Sequence, residues 1–378
     1  MNIDEIRGNI DIIDDSMLEL FLRRMELSAE ASKFKSQRSL PILDKSRERE
    51  ILARVTSKSG DMERYSHRLF TTIMELSKSY QDTLRCGGTK IRAELDQALS
   101  VDWGEFPAKG VIGCQGVEGA YSQIAADKLF PRGNLMYFKT FEAVFDAVKS
   151  GLCDYGVVPV ENSSNGSVRA SYELLKRKNV HIVRSERICI RHELLAKPGT
   201  KLEDVREIRS HGQALGQCGE FLKKLNGVRV IECANTAEAA EYAANCDEAG
   251  VAAIASGNAG KLYGLGTIAD DIQDTSNNYT RFVCISREPK IFPGADRISL
   301  LVGCDHRPGA LYELIAKPTA LGINMLKLES MPIVGHDFEF MFIIDMQASV
   351  RDSGTAAMLE SMERECALFR FLGCYSEV

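Results

Sequence analysis

Ile3, Ile6, Ile10, Ile13, Met17 and Leu20 recur at intervals of three and four, the spacing of one face of a helix running to about Lys35. No internal stop interrupts it and it exceeds the usual globular length, so the pattern predicts a helix packed along a partner. A second set at the same spacing is Arg7, Ile10, Asp14, Met17, Phe21, Arg24, Ser28, Ala31 and Lys35, which puts three cations along the edge of the apolar face. After the turn Ser39-Leu40-Pro41, a second helix carries Arg47 and Glu48 behind Asp44 and extends through about Ser57. A third, from about Met62 to Leu84, places Ser77 and Gln81 four apart on one face. Residues 1–88 thus read as an all-α, three-helix segment, followed by a connector of Cys86-Gly87-Gly88 and a polar run to Lys109.

From 108 to 287 the period changes. Residues 155–160 are a short apolar run suited to a doubly covered strand, and Glu161, Asn162, Ser163, Ser164, Asn165 and Gly166 follow abruptly before a helical pattern at Ala170. A polar loop therefore leaves the carboxyl end of a parallel strand. Ligands bind at that end of an open α/β sheet, because the next helix points its free N–H groups into the crevice. The strand at 110–113 is followed by a glycine turn, Gly116 to Ser122, and a helix at 120–130; the strand at 205–210 runs likewise into Ser210, His211, Gly212, Gln213 and Gln217. Further strands at 180–183, 189–196, 228–232, 251–254 and 282–286 alternate with helices, which predicts a mostly parallel, two-lobed α/β domain with a cleft between the lobes. Over 296–378 the order is strand 298–303, helix from Gly309, strands 323–333 and 340–347, helix 356–366 and strand 369–375, the α+β ferredoxin-like βαββαβ plan.

The 378 residues, 44% hydrophobic and 26% charged, suffice for several domains with buried cores. A net charge of -6 gives no reason to expect nucleic acid as a partner. The N-terminus has no basic and apolar leader, and no run approaches the roughly 18 apolar residues of a membrane span, so a cytoplasmic chain with no membrane partner is expected. Eleven cysteines are scattered singly without a Cys-x-x-Cys, which suggests reduced thiols rather than a zinc site or disulfide framework.

Cations beside an apolar helix face are costly unless something anionic meets them. Along a helix Arg24 and Lys35 are about 16 Å apart and Arg7 lies about 25 Å further back, so one small molecule can touch the first two while Arg7 has to come from an antiparallel second chain. Arg7, Arg24, Lys35, Asp44, Arg47, Glu48, Ser77 and Gln81 together resemble the binding pocket of the all-helical chorismate mutases. The resemblance implies an intertwined homodimer in which Arg7, Arg24 and Arg47 hold carboxylates, Lys35 and Gln81 face the ether oxygen, and Asp44 or Glu48 takes the substrate hydroxyl. A pericyclic rearrangement suits such a pocket, since it needs a compact dianion and stabilised charge rather than a nucleophile. The plainer alternative is a three-helix hairpin with solvated charges.

In the central segment Gly116 to Ser122, Glu161 to Ser167, Ser210 to Gln217 and Asn278 to Phe282 are similar to the four signatures of prephenate dehydratases. That family converts prephenate to phenylpyruvate with loss of carbon dioxide and water. The resemblance implies that Thr280 hydrogen-bonds or protonates the departing hydroxyl and that Asn162, Ser163 and Gln217 orient carboxylates, with Ser210 and Gln213 also in the site. Glu161 would hold neighbouring backbone or Arg281, and Arg281 would anchor the side-chain carboxylate or the loop. A cleft lined by three helix starts and neutral donors can hold the dianion without metal or cofactor. Gly212 stands where the family usually has proline.

The last segment resembles ACT domains, which bind amino acids at subunit interfaces. Gly309, Ala310 and Leu311 form one motif, and Glu329-Ser330-Met331-Pro332 matches a second in which Met331 replaces the usual arginine. The three resemblances together imply a bifunctional chorismate mutase and prephenate dehydratase with phenylalanine as effector. A binding or sensing protein, and a dehydratase whose helical segment is only a dimerisation arm, remain the alternatives.

Overall fold

The computed structural model describes residues 2–38, 40, 44–84, 88–304, 306–307, 309–332 and 340–378. Of the sequence expectations, the turn residues Ser39 and Pro41, the connector residues Cys86 and Gly87, and Ile333 at the end of a strand lie outside the described residues. The chain divides into two compact units, one of Met1–Leu99 with Leu300–Phe371 and one of Ser100–Ser299 with Leu372–Val378.

Helix α1 (Ile3–Gln37) starts at a capping box: Asn2 Oδ1 accepts from the Glu5 N–H at 2.8 Å, and the Glu5 carboxylate accepts from the Asn2 N–H at 3.0 Å. Asp44 caps α2 (Lys45–Ser59) by accepting from the Arg47 N–H at 3.0 Å; α3 (Glu63–Leu84) and α4 (Lys90–Ser100) follow. Packing of α1 on α3 leaves much of the apolar stripe uncovered, with Ile10 50% and Leu20 66% exposed. The exposed stripe runs along a helix of 35 residues.

The central segment opens with β1 (Val111–Gln115), α5 (Tyr121–Leu129), β2 (Asn134–Phe138), α6 (Phe141–Ser150), β3 (Tyr155–Asn162), β4 (Gly166–Ser167), α7 (Arg169–Arg177) and β5 (His181–Cys189). The second lobe holds β6 (Glu193–Ala196), β7 (Glu207–His211), α8 (Gly212–Gln217), α9 (Gly219–Leu222), β8 (Arg229–Cys233), α10 (Thr236–Asn245), β9 (Val251–Ala255), α11 (Gly257–Tyr263) and β10 (Gly266–Ala269), and β11 (Tyr279–Ser286) returns to the first. One sheet has the order β2-β1-β3-β11-β5 with β4 on β3, and the other β10-β6-β9-β7-β8.

Both sheets are mixed, which corrects the expectation of a mostly parallel domain. β1 is parallel to β2 and β3, and β7 to β8 and β9, but β11 is antiparallel to β3 and β5, and β6 to β9 and β10. The cause is the crossing between lobes: the chain leaves on β5 and comes back on β11 beside it, so the two must oppose. The single strand expected over 189–196 is accordingly two, β5 in one sheet and β6 in the other, joined by Ile190, Arg191 and His192. β2 and β10, for which no strand was expected, are short edge strands in which no residue is fully buried, unlike the inner strands beside them. Gly156 lets β3 lie close against α6: a Cβ there would stand 2.8 Å from Val144 and 2.9 Å from Val148.

The final elements are β12 (Arg297–Gly303), α12 (Ala310–Ala320), β13 (Asn324–Pro332), β14 (Phe340–Gln347), α13 (Ser353–Glu365) and β15 (Leu368–Tyr375), in the sheet order β13-β14-β12-β15. The βαββαβ order is thus present. Every described cysteine is a free thiol, and burial pushes Cys114 and Cys218 up to about 12, so neither offers a thiolate near neutrality. No helix among the described residues is long and apolar enough to cross a membrane.

Candidate functional site

In the helical segment the facing surfaces of α1 and α3 hold four of the eight expected residues. Arg24 is half-buried; its Nη1 donates to Ser77 Oγ and reaches the Ile73 carbonyl at 3.5 Å, and burial draws its pKa below the ordinary arginine value. Ser77 and Gln81 are buried one turn apart on α3, and Ser32 Oγ donates to the Gln81 carbonyl at 3.3 Å. Lys35, half-buried, lies three residues beyond Ser32. The Gln81 side-chain oxygen is buried with no hydrogen-bond partner among the described residues, a polar atom that costs stability unless a ligand or second chain meets it.

The other four are placed differently. Glu48 on α2 pairs with Lys78 of α3 at 3.0 Å, and Asp44 is engaged as the cap of α2. Arg47, its side chain 62% exposed, pairs with Glu50 at 3.0 Å, and Arg7, 70% exposed, lies 3.6 Å from Asp4. Local pairs this exposed contribute about 0–1 kcal/mol and yield easily to a better anion.

In the central segment the β3/β11 register sets Thr280 opposite Asn162. Asn162 Nδ2 donates to Asn278 Oδ1 at 2.9 Å and to Thr280 Oγ1 at 3.0 Å, while its Oδ1 accepts from the backbone N–H groups of Ser164 and Asn165, each at 3.0 Å. Asn278 Nδ2 reaches across to Gln217 Oε1 on α8 at 3.1 Å. Ser163 Oγ donates to the Asn277 carbonyl and accepts from the Tyr279 N–H, both at 2.9 Å, so it ties the two loops. The lobes also meet where Tyr263 Oη donates to the Glu118 carbonyl at 3.0 Å and Ser256 Oγ to that of Gly119 at 3.3 Å.

Ser210 is buried and donates to the Ile254 carbonyl at 2.6 Å, inside the second lobe, whereas the Gln213 side chain is exposed. Arg281 alternates to the face of β11 opposite Thr280; its Nη2 lies 3.4 Å from both Glu161 and the Tyr172 hydroxyl, an arrangement that suits the loop-anchoring role of the two left open. α5 and α7 begin without a side-chain cap, but α8 has six residues and its first turn is capped by His211 Nδ1, 3.2 Å from the Gln213 N. Gly212 leaves room for Glu232, whose Oε1 would be 2.3 Å from a Cβ there.

Three polar residues of these surroundings escaped the sequence reading. Asn278 belongs to the fourth signature, and only its contacts mark it as central. His192 carries the faint signal of an isolated polar residue where an apolar run changes sheets, and Lys78 carries none beyond helical spacing. In the C-terminal segment Gly309 adopts φ +85 and starts α12, a left-handed conformation that favours glycine. Ala310 is buried and Leu311 half-buried; Glu329 lies 3.2 Å from Lys327, Ser330 is exposed, and Met331 is 3% exposed in the sheet. Glu48, Lys78, Gly309 and Tyr312 line one cavity of about 550 Å³.

Residues 6–82 match chorismate mutase type II, and residues 112–290 match prephenate dehydratase. The bifunctional chorismate mutase/prephenate dehydratase of Escherichia coli (strain K12) is 30% identical over 381 residues, spanning 98% of this chain and 95% of that protein. The chloroplastic arogenate dehydratase/prephenate dehydratase 2 of Arabidopsis thaliana is 39% identical over 276 residues, 70% of this chain and 72% of the plant protein. Among solved structures, the prephenate dehydratase of Arthrobacter aurescens in complex with L-Phe is similar at 28% identity and a TM-score of 0.64, covering 70% of this chain and 89% of that one. Because the mutase and dehydratase matches follow each other as they do along nearly the full bacterial relative, the chain belongs to the bifunctional chorismate mutase/prephenate dehydratase family.

Proposed function

We propose that the chain's two activities, chorismate to prephenate and prephenate to phenylpyruvate, run at two separate sites, one built from charge and one from neutral dipoles. The observation that carries the separation is that Arg24, Ser77 and Gln81 belong to one compact unit, and Asn162, Gln217 and Thr280 to the other.

In the helical site Arg24 grips a carboxylate of chorismate, Lys35 and the Gln81 amide face the ether oxygen, and Glu48 or Asp44 takes the hydroxyl. Arg47 exchanges its exposed pair with Glu50 for a carboxylate. Arg7 enters from a second copy of the chain, and the uncovered stripe of α1 supports such a homodimer. The reaction needs the dianion held compact and charge stabilised on the breaking C–O bond, which these groups supply without proton transfer.

In the central site the bond to the ring carboxylate breaks, its electron pair makes the ring aromatic, and hydroxide leaves to become water on gaining a proton. Asn162 Nδ2 donates to Thr280 Oγ1, so the threonine proton is left to hydrogen-bond the departing oxygen. A hydroxyl is a weak acid, and its contribution is that bond rather than full protonation. Gln217 Nε2, which has no partner among the described residues, donates to a carboxylate without the ground-state hold that an arginine pair would put on a group leaving as CO₂. Asn162 and Ser163, their protons engaged with Asn278, Thr280 and the Asn277 carbonyl, fix the loops that frame the carboxylates. Arg281 and Glu161 brace the loop.

The βαββαβ segment acts as an ACT domain in which phenylalanine slows the dehydratase. The likeness to an L-Phe complex and the glycine start of α12 support this. Met331, buried where the family has arginine, contributes apolar packing in place of a charge. The name of the plant relative supports arogenate as a second substrate of the central site. The chain works in the cytoplasm. Incubating the full chain with chorismate and following products in time tests the scheme: phenylpyruvate is expected after transient prephenate, and prephenate that only accumulates would remove the dehydratase.

A further inference from the structure

A backbone N–H can only donate, so the two that reach Asn162 Oδ1 identify that atom as oxygen and the other end of the amide as its NH₂. The NH₂ in turn requires Asn278 Oδ1 and Thr280 Oγ1 to be acceptors. Asn278 is thereby turned with its own NH₂ toward Gln217, which makes the atom 3.1 Å away Oε1. His192 Nε2 lies 3.0 Å from the same oxygen. Two acceptors cannot share a hydrogen bond, so Nε2 carries the imidazole proton. Two backbone amides thus settle the orientation of four side chains in succession.

His192 is 2% exposed, and burial draws its pKa below the ordinary histidine value, so near neutral pH it is uncharged with Nδ1 bare; that nitrogen has no partner among the described residues. It sits on the outgoing crossing between lobes, tied to the returning one: its N–H donates to Gln273 Oε1 at 2.9 Å and its carbonyl accepts from the Ile272 N–H at 3.0 Å. Tyr121 packs edge-on with ring centroids 6.1 Å apart. Gln217 Nε2 is buried and has no partner among the described residues. With Oε1 held from two sides, that NH₂ cannot rotate away.

We propose that His192 is a positioning residue of the dehydratase: it holds Gln217 Oε1 so that the amide NH₂ faces the carboxylate the substrate keeps. His192 itself touches no substrate. The proposal rests on the reading that the central site turns over prephenate with Gln217 on a carboxylate.

Two substitutions in the full chain separate donor from packing. His192→Phe keeps a ring against Tyr121 and loses the donor; His192→Gln keeps a donor where Nε2 stood and loses the ring. His192→Phe should raise KM for prephenate about tenfold or more, the size of one hydrogen bond to a charged group, with kcat within about threefold. His192→Gln should restore both to within about threefold of the parent, and chorismate turnover should stay unchanged in each. A harmless His192→Phe, or equal damage from both, would overturn the proposal. If the parent chain did not convert prephenate, the dehydratase reading would fall. The claim about His192 is still read by the nitrogen NMR shifts of its ring, where the Nε2–H tautomer is expected and an Nδ1–H ring would refute it.

Discussion

As proposed, the helical and central sites hold nearly the same small dianion by opposite means. Around Arg24 the groups are long cations, and the chain by itself leaves Arg7 and Arg47 in water and the stripe of α1 uncovered. Around Thr280 they are short amides and hydroxyls fixed by backbone, with Asn162 as the hub. Charge suits a rearrangement that keeps both carboxylates, since holding them tightly brings the reacting carbons together. Neutral dipoles suit a reaction in which one carboxylate must leave uncharged, because a firm grip there would stabilise the wrong state. In the proposed scheme the difference extends to assembly: a long cation such as Arg7 reaches substrate from a second chain, whereas the short amides are completed within one.

The comparison breaks if one substitution damages both sites. Arg24→Ala should lower kcat/KM for chorismate about 1000-fold and leave prephenate dehydration within about twofold, measured as chorismate loss and phenylpyruvate gain. Thr280→Ala should do the reverse, lowering dehydration about 100-fold at full mutase rate; an undiminished dehydratase would remove Thr280 from the mechanism. Charging the uncovered stripe with Ile10→Glu and Ile13→Glu should separate the subunits in sedimentation and cost the mutase about tenfold at low protein concentration. A mutase that is fully active as a monomer would show that Arg7 of a second copy is dispensable. Phenylalanine should slow the dehydratase roughly fivefold, the low end of ordinary coupling between sites, and a flat rate up to millimolar ligand would mean Met331 marks a lost effector site.

What was legible beforehand follows from how local each signal is. The three helices of the first segment lie within a few residues of their expected ends, because a 3.6-residue period over tens of positions is a strong local signal. Strand 340–347 matches β14 for the same kind of reason, an apolar run bounded by polar residues. Strand direction was not legible: β11 opposes β3 because the chain crosses between lobes twice, a fact of path rather than composition. Edge strands β2 and β10 were missed because each is short and has no fully buried residue. Thr280 and Asn162 were visible as motif members, but the hub role of Asn162 depends on register between residues more than a hundred positions apart, and the place of His192 on contacts with Gln217 and Gln273 on other elements.

Mixing two inactivated chains tests the central claim of two separate sites most directly. Arg24→Ala protein alone and Thr280→Ala protein alone should each make little phenylpyruvate from chorismate, the first for want of prephenate and the second because prephenate accumulates. Combined, they should produce phenylpyruvate at a rate approaching that of the parent chain, as prephenate released by one is consumed by the other. A mixture no faster than either protein alone would contradict the account.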